Sequence, residues 1–438
     1  MALTQVSTGG VKDDAITKAK IPANQIEASE LADNAVDTNA IATDAVTIDK
    51  VADDAVGADQ LASNAVVTAS IADNAITQAK INVPLSNRNL IINGAMQVAQ
   101  RGTSSTSDGY HTIDRFQMNF SGTDEAPTQA QVDVSSGTTP YTNGFRKAFK
   151  ITNGNQTSGA GTSDRIEISY KLEAQDLANS GWNYTSSSSF ITLSFWCKSS
   201  VAQNFFCRIL TSDGTAQRYA VETGSLTADT WTKITKTIPG NSNLQFDNNN
   251  AEGLKISIYQ FAGTDYTDSS SLNTWAAGVT GNRTPDQTST WYTTNDATFE
   301  ITGLQLEVGS VATDFEHRSF SEELTLCQRY FFKISGDNGQ RPGIPGFANS
   351  TSNVRFQVTF PTNMRALPSI TGTATNCVFD SSDASDIFQC NGLSSGGGGT
   401  QSNPHIMILE ANPGGMTAGH GGQFEFRATG SISFDSEL

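Results

Sequence analysis

The sequence predicts a mainly β protein in which a thin N-terminal repeat precedes β-rich domains, and three observations support this. Residues 1–86 contain no aromatic residue and no arginine, and the first aromatic residue is Tyr110. From about residue 87, short apolar runs alternate with stretches rich in Ser, Thr, Gly and Asn. Charged residues make up only 16% of the chain. This composition favours antiparallel strands joined by many turns.

These composition shifts predict five segments along the 438 residues. A chain of this length commonly forms two or three domains. We expect an intertwined shaft of short helical turns, a linker, an antiparallel β jelly roll, a connecting helix and a C-terminal β-sandwich-like domain. Their predicted boundaries are, in the same order, 1–82, 83–88, 89–320, 321–333 and 334–438.

The first segment repeats a ten-residue phrase, as in "LADNAVDTNA" and "IATDAVTIDK". A branched apolar residue recurs every five positions. On an α-helix this spacing places successive side chains about 140° apart, and on a strand it sends them to opposite faces. The backbone must therefore turn within each unit. Asn34, Asp44 and Asp54, each just before an Ala, suit a turn or a helix cap.

One chain of such units cannot shield its branched side chains, so repeat units need neighbours. We therefore predict a slender homotrimeric shaft. A disordered linker is one alternative, and the strict register argues against it. A single-chain pentapeptide β-helix is another, and polar residues at its small-residue positions argue against it. The predicted trimer core consists of Ile16, Ile21, Leu31, Val36, Ile41, Val46, Val51, Val56, Leu61, Val66, Ile71 and Ile76.

Segment 89–320 contains many short apolar runs separated by turns. In "ITLSFW" and "LKISIYQF" apolar and polar residues alternate almost strictly, which places apolar side chains on one face. Eight or more strands at this spacing predict a sandwich or jelly roll. The strand candidates are "NLIINGAMQVA", "DRFQMNF", "FRKAFKIT", "DRIEISYKL", "FITLSFWCKS", "NFFCRIL", "WTKITKTI", "LKISIYQF" and "TFEITGLQLEV".

The stretch "SEELTLCQRYFFK" predicts the connecting helix. Ser321 is its expected N-cap, and Leu324, Cys327 and Phe331 would share one face. The strand candidates of the C-terminal domain are "NVRFQVTF", "SITGTAT", "HIMILEA" and "GQFEFRATGSISF". Gly-rich loops at 391–404 and 411–422 would form the variable tip.

Charge and hydropathy exclude several classes of function. The net charge is −17 and Lys and Arg do not cluster, so nucleic-acid binding is not expected. No apolar run approaches the roughly 18 residues of a membrane span, and no secretory signal is visible. The five cysteines are sparse and odd in number, which indicates a protein made in a reducing compartment.

We find no recognisable catalytic or metal-binding motif. Nucleophile elbows, "HExxH" and phosphate-binding glycine motifs are absent from the sequence, so we do not expect an enzyme. Cys377, Cys390, His405 and His420 could bind zinc only as widely spaced pairs, 13 and 15 residues apart, and we expect no metal there. A disulfide between Cys377 and Cys390 stays open.

Several motifs resemble those of tailed-bacteriophage fibre proteins. The "LADNAV…IADNAIT" repeats are similar to the supercoiled helix-turn-helix repeat of a small podovirus head fibre. The opening "MALTQVSTGGVKDDAITKAKI" resembles predicted tail-fibre proteins of marine and cyanobacterial phages. "NLIINGAMQVAQRG" and "ITGLQLEVGSVATDFEHRSFSEELTLCQRYF" resemble the first and last parts of a carbohydrate-binding-module-like jelly roll in such fibres. The resemblance covers most of residues 1–332.

The resemblance implies a structural protein of the phage virion with a role in receptor binding and host adsorption. Its expected partners are two further copies of the chain, other virion proteins at the N-terminus, and a host glycan or lipopolysaccharide. It would assemble in the host cytoplasm, without membrane insertion. Two alternatives stay open besides a tail fibre: a head or collar fibre with accessory glycan binding, and a fibre-borne polysaccharide depolymerase.

Sugar-binding jelly rolls often present aromatic rings to their ligands. The candidates for glycan contact are Trp182, Tyr184, Trp275, Trp291 and Tyr292.

Related modules also often hold a structural calcium. Here Ala95 and Gln97 replace the acidic residues of the usual opening motif, and Glu300 and Glu307 remain as candidate ligands. We therefore expect no cofactor and leave calcium as an open alternative.

Overall fold

The computed structural model describes residues 17–21, 41, 46–47, 50–51, 56, 61, 87–268, 271–382, 387–395 and 403–438. The chain divides into two compact units, residues 1–82 and 83–438. The boundaries predicted for the linker and domains are not tested by this division. Among the described residues, no helix has the length and apolar character needed to cross a membrane.

In the first unit the structure describes a 3₁₀ helix over Lys18–Lys20 and several single repeat positions. Six of the twelve predicted trimer-core residues are described, and each is between 39% and 57% exposed in the single chain: Ile21, Ile41, Val46, Val51, Val56 and Leu61. The other six lie outside the described residues: Ile16, Leu31, Val36, Val66, Ile71 and Ile76. The shaft core therefore stays a prediction.

The second unit confirms the mainly β fold class. Its strands are β1 (Ser104–Ser105), β2 (Phe116–Ser121), β3 (Thr128–Asp133), β4 (Lys147–Thr152), β5 (Arg165–Glu173), β6 (Phe190–Ser199), β7 (Asn204–Thr211), β8 (Gln217–Ser225), β9 (Thr232–Pro239), β10 (Glu252–Ala262), β11 (Thr267–Asp268), β12 (Trp275–Ala277), β13 (Thr284–Pro285), β14 (Thr298–Val308), β15 (Phe331–Gly336), β16 (Pro345–Ser350), β17 (Asn353–Thr359), β18 (Ser369–Gly372), β19 (Cys377–Ser381), β20 (Ile387–Gln389), β21 (Leu393–Ser395), β22 (Ile406–Ala411), β23 (Gly421–Phe426) and β24 (Gly430–Asp435). The helices are α1 (Thr139–Thr142), α2 (Ala174–Ala178), α3 (Thr290–Thr293) and α4 (Phe320–Gln328).

Two six-stranded antiparallel sheets form the jelly roll. Sheet A has the order β1-β3-β4-β14-β6-β9, and sheet B has the order β12-β8-β7-β10-β5-β2. Their facing apolar side chains form one core, in which Phe195, Ile209, Ile256 and Leu306 are almost completely buried. Strand alternation supplies these side chains from every second position and directs the others outward.

The C-terminal strands form two further sheets around a separate core. The three-stranded sheet C has the order β15-β24-β18, and the seven-stranded sheet D has the order β20-β19-β23-β16-β17-β22-β21. Phe356, Phe379, Phe424 and Phe434 contribute to their shared core. The predicted C-terminal strands are all present.

The expected strand over "NLIINGAMQVA" is wrong. Asn93 and Met96 have positive φ values of 61° and 59°, which no strand residue adopts. The segment instead runs beside β14, where Leu304 N donates to Gly94 O at 3.0 Å. A methyl group on Gly94 would collide with Leu304 O, so this close approach requires glycine.

The connecting helix also differs from its prediction of 321–333. It ends at Gln328, and Ser319 rather than Ser321 is its N-cap, because Ser319 Oγ accepts from Glu322 N at 3.3 Å. Phe331 lies in β15, where it pairs with Asp435. The strand pairing of β15 with β24 therefore overrides the helical pattern that the sequence suggests for Phe331.

A buried ion pair joins the jelly roll to the end of the chain. Arg115 is 1% exposed and pairs with Glu437, and its guanidinium lies 3.4 Å from the centre of the Tyr330 ring. Arg329 binds both carboxylate oxygens of Glu173, each at 2.7 Å. Such two-point contacts fix orientation as well as distance. The jelly roll and the C-terminal sheets therefore contact each other through specific charged pairs.

Candidate functional site on the outer face of sheet B

Three of the five predicted glycan-contact residues lie in the core, contrary to the expectation from their polar sequence context. Trp182, Trp291 and Tyr292 are 3%, 0% and 1% exposed. Trp291 Nε1 donates to Thr298 O at 3.0 Å, and the Tyr292 ring stacks on Phe261 with centroids 4.5 Å apart. These rings present no face at the surface, so core packing accounts for them.

Tyr184 and Trp275 are half-buried and lie beside one loop. Trp275 Nε1 donates to Pro239 O at 2.7 Å, and Asn241 N donates to Tyr184 O at 2.8 Å. The Trp275 ring also packs on Tyr219 with centroids 5.1 Å apart. Each ring keeps some exposed surface, so both remain candidates for a contact with a ligand.

The outer face of sheet B carries the polar positions of the alternating strands. In β5 and β10, Ile168 and Ile256 enter the core, whereas Glu167 and Ser257 are directed to the opposite face. An antiparallel sheet commonly leaves such a face in water. Here the central positions of that face are buried: Ser257 and Tyr259 are 0% exposed.

A long segment between β10 and α3 lies against this face. We call residues 263–268 and 271–289 the flap, and its strand β12 is also the edge strand of sheet B. Tyr266 of the flap lies against Arg165 of β5, with the guanidinium 5.3 Å from the ring centre. A Cβ on Gly278 would lie 2.6 Å from the outward side chain of Leu210. The parallel pair of β11 and β13 lies within the flap, so it has local structure of its own.

Buried polar atoms without a hydrogen-bond partner concentrate on this face. We define the outer-face cluster as five residues, each no more than 6% exposed: Glu167, Arg208, Arg218, Ser257 and Tyr259. They carry six of the fifteen buried side-chain nitrogen and oxygen atoms that lack a partner among the described residues. Because most buried polar groups in proteins are satisfied, this concentration makes the face our candidate site.

Glu167 is the negative centre of the cluster. Its Oε1 lies 3.1 Å from Lys255 Nζ, and its carboxylate also interacts with the neighbouring Tyr259 hydroxyl. Burial raises the pKa of this carboxyl, but Lys255, Arg208 and Arg165, in that order, outweigh burial and lower the pKa to about 2. Glu167 is therefore ionised at neutral pH.

Tyr259 lies between the positive and negative groups of the cluster. Its ring is 5.8 Å from the Arg208 guanidinium. Burial, and then the neighbouring Glu167 carboxylate, raise the pKa of the Tyr259 hydroxyl well above its ordinary value. The hydroxyl is therefore protonated at neutral pH and can donate a hydrogen bond.

The metal-binding alternatives gain no support from the residues named for them. Glu300 pairs with Lys198 at 3.0 Å, and Glu307 Oε2 accepts from Thr313 Oγ1 at 2.6 Å. Within the described residues, no group of three or more His, Cys, Asp and Glu side chains is arranged to bind a metal ion.

Cys377 and Cys390 are neighbouring free thiols. Both are buried, and Cys390 N donates to Cys377 O at 2.9 Å. Burial raises the pKa of each thiol to about 12. They are therefore protonated and unreactive at neutral pH.

A separate cavity of 740 Å³ lies beside the opening segment and α4. Its cations already have partners, since Arg88 Nη1 donates to Thr313 Oγ1 at 2.7 Å and Arg318 Nη2 donates to Asn89 O at 2.6 Å. Its size would admit a ligand, but both of these arginines already donate hydrogen bonds to the chain itself. The outer-face cluster is therefore the stronger candidate.

No protein-family model and no curated protein matches the chain. Solved structures match about half of it. The enzymatically active domain of tailspike protein 4 of bacteriophage CBA120 matches at 8% identity over 50% of this chain, with a TM-score of 0.27. The chain spans 21% of the length of that structure.

Carbohydrate-binding modules are also among the matching structures. TmCBM61 in complex with β-1,4-galactotriose matches at 10% identity over 51% of this chain and 99% of that one, with a TM-score of 0.25. The family 11 module of Clostridium thermocellum, in complex with a mixed-linked tetrasaccharide, matches at 13% identity over 48% and 98%, with a TM-score of 0.22. The strand order given above defines the fold.

The low pKa of Glu167 leads to a pH-dependent prediction. Because its pKa in the folded state, about 2, is below the ordinary 4.5, ionised Glu167 stabilises the fold above pH 4.5 and this contribution is lost as the pH falls towards 2. We expect the Glu167→Gln variant to be less stable than the wild type at pH 6, and this difference to shrink at pH 3. Urea unfolding at both pH values measures it.

The matched control is Asp133→Asn, which removes the carboxylate of the exposed pair with Lys147. Exposed pairs contribute at most about 1 kcal/mol, so this variant should change the free energy of unfolding little at either pH. A Glu167→Gln difference that stays constant or grows at pH 3 would contradict the assignment.

Proposed function

We propose that the protein is a homotrimeric fibre subunit of a phage virion and that its jelly roll binds a host-surface glycan during adsorption. Two features support the fibre role. The decapeptide repeat leaves Val46, Val56 and other branched side chains exposed in the single chain. The opening and exit motifs of the jelly roll resemble those of phage fibres.

The outer-face cluster is the observation that carries the proposed glycan binding. A sugar offers hydroxyl groups that donate and accept hydrogen bonds. The cluster offers donors at Arg208 and Arg218, an acceptor at Glu167, and hydroxyls at Ser257 and Tyr259. These groups are buried and carry polar atoms whose hydrogen bonds within the chain are incomplete, so a sugar that reaches them gains hydrogen bonds made in a dry environment.

The flap sets a condition on this binding. Ser257 and Tyr259 are completely buried, so a ligand reaches them only when the flap moves away from the sheet. The flap is joined to the sheet through side-chain contacts and the short edge pairing of β12 with β8. We therefore propose that the sugar is held between the flap and sheet B, and that the protein binds the polymer without hydrolysing it.

A glycan-binding test compares two tyrosine variants on an array of bacterial surface polysaccharides. Tyr259→Phe removes a cluster hydroxyl and should weaken binding about tenfold, the effect of one lost hydrogen bond in a desolvated site. Tyr292→Phe is the matched control, because it also removes a buried tyrosine hydroxyl beside a carboxylate, that of Asp164, but lies in the core.

The wild type and Tyr292→Phe should bind alike, and incubation with a bound polysaccharide should release no new reducing ends. Equal binding by all three proteins would contradict the outer-face site. Sustained release of reducing ends would overturn the proposal of binding without hydrolysis.

The trimer is tested on the full chain by sedimentation equilibrium at micromolar concentration. We expect a mass about three times the 46.5 kDa of one chain. A variant with Val46, Val56 and Leu61 replaced by Ser should dissociate, because exposed branched side chains form the predicted core. Lys50→Ser, at an exposed polar position of the repeat, should stay trimeric. A monomeric wild type would contradict the shaft.

A further inference from the structure

The outer-face cluster contains two arginines on neighbouring strands. In the register of β7 and β8, Leu210 pairs with Arg218 and Arg208 pairs with Ala220. The two arginines are therefore diagonal neighbours on one face, a position within reach for long side chains. They are 6% and 4% exposed. Nε of both residues and Nη1 of Arg218 have no acceptor.

These two positive charges raise each other's energy. Burial lowers the pKa of Arg218, the flap residue Asp268 raises it, and Arg208 lowers it again. Burying like charges together is costly unless an anion compensates them. Three guanidinium nitrogens of this pair have no acceptor. Carboxylates among the described residues therefore do not use all of the pair's hydrogen-bond donors.

The carboxylates of this face are already shared among other groups. Glu167 has Lys255 at 3.1 Å and also acts on Arg208 and Arg165, so its one negative charge is divided among three cations. Glu222, on β8, accepts from Asn204 Nδ2 at 2.7 Å. Asp268 is left to balance Arg218, and it belongs to the flap, which must move for a ligand to enter. On these strands the cations Arg165, Arg208, Arg218 and Lys255 outnumber the carboxylates Glu167 and Glu222, although the net charge of the chain is −17.

We propose that this face selects an acidic sugar and that Arg208 and Arg218 bind its oxyanion. A guanidinium presents two parallel N–H donors that match a carboxylate or a sulfate group. The hydroxyls of Ser257 and Tyr259 would form hydrogen bonds with the neighbouring hydroxyls of the sugar. In the unliganded protein, Asp268 partly compensates Arg218 from the flap, and the sugar oxyanion would take its place. The inference rests on the proposed glycan binding and adds the chemical class of the ligand.

Calorimetric titration of the full chain tests this selectivity with four probes. They are oligogalacturonate, its neutral methyl ester, a sulfated oligosaccharide and neutral dextran oligosaccharides. We expect at least one acidic probe to bind about tenfold or more tightly than its neutral counterparts, with an affinity that falls as NaCl is raised. The first and third probes distinguish a carboxylate from a sulfate.

Variants locate the selectivity. Arg218→Gln and Arg208→Gln should each reduce the preference for the acidic probe about tenfold or more and leave binding of neutral sugar nearly unchanged. Arg88→Gln is the matched control, since Arg88 also has a buried Nε without an acceptor but lies at the 740 Å³ cavity. If a Gln variant fails to fold, Arg218→Lys is measured instead. Lysine keeps the positive charge but lacks the two parallel N–H donors of a guanidinium, so this variant should lose most of the preference for the acidic probe.

The results separate the two proposals. Equal binding of acidic and neutral probes by the wild type, with loss of both in Tyr259→Phe, would overturn the acidic selectivity and support glycan binding at this face. A preference that survives both Gln variants would overturn the arginine assignment. A preference lost only in Arg88→Gln would place the acidic site at the 740 Å³ cavity.

Discussion

The alternation of side chains along the strands of sheet B is the constraint on which the rest of the structure depends. Every second residue must fill the core shared with sheet A, so the remaining residues are directed to the opposite face. If that face were open to water, its charged residues would need no explanation. Because the flap covers this face, its hydrogen-bond donors and acceptors are buried.

The frame around this face is fixed by contacts that tolerate little change. The opening segment passes so close to β14 that only glycine fits at Gly94. At the other end of the chain, Glu437 pairs with Arg115, and the Lys171 ammonium donates to Leu438 O at 2.8 Å. Sheet B is therefore held by the rest of the chain, whereas the flap is joined to it by the backbone pairing of β12 with β8 at one edge and by side-chain contacts elsewhere. Flap movement, as proposed for ligand entry, would leave this frame in place.

Much of the fold could be predicted from the sequence, because strand periodicity is a local signal. "DRIEISYKL" and "LKISIYQF" predict β5 and β10 by alternation alone. The strand β8 was not predicted, since "QRYAVETGS" contains few large apolar residues and reads as a turn-rich stretch. That omission also hid Arg218. The opening segment was misassigned because its apolar residues serve a turn with positive φ values rather than a strand.

The candidate site was harder to predict than the fold, because it depends on which faces meet. Aromatic residues in polar surroundings indicated a sugar site, yet Trp182, Trp291 and Tyr292 turn into the core. The polar half of each alternating strand held the informative residues. Sequence alone could not show that these positions are covered, because the flap reaches them from a separate part of the chain. The net charge of −17 over the whole sequence likewise gives no sign that two arginines lie side by side on this face.

The central claim is that a glycan is bound between the flap and sheet B. Hydrogen–deuterium exchange of the full chain, with and without a saturating glycan that it binds, tests this most directly. The account predicts slower exchange in peptides from β7, β8, β10 and the flap when the glycan is present, with little change in sheets C and D. Protection confined to residues 403–422, or to residues 239–241 beside Tyr184, would contradict it.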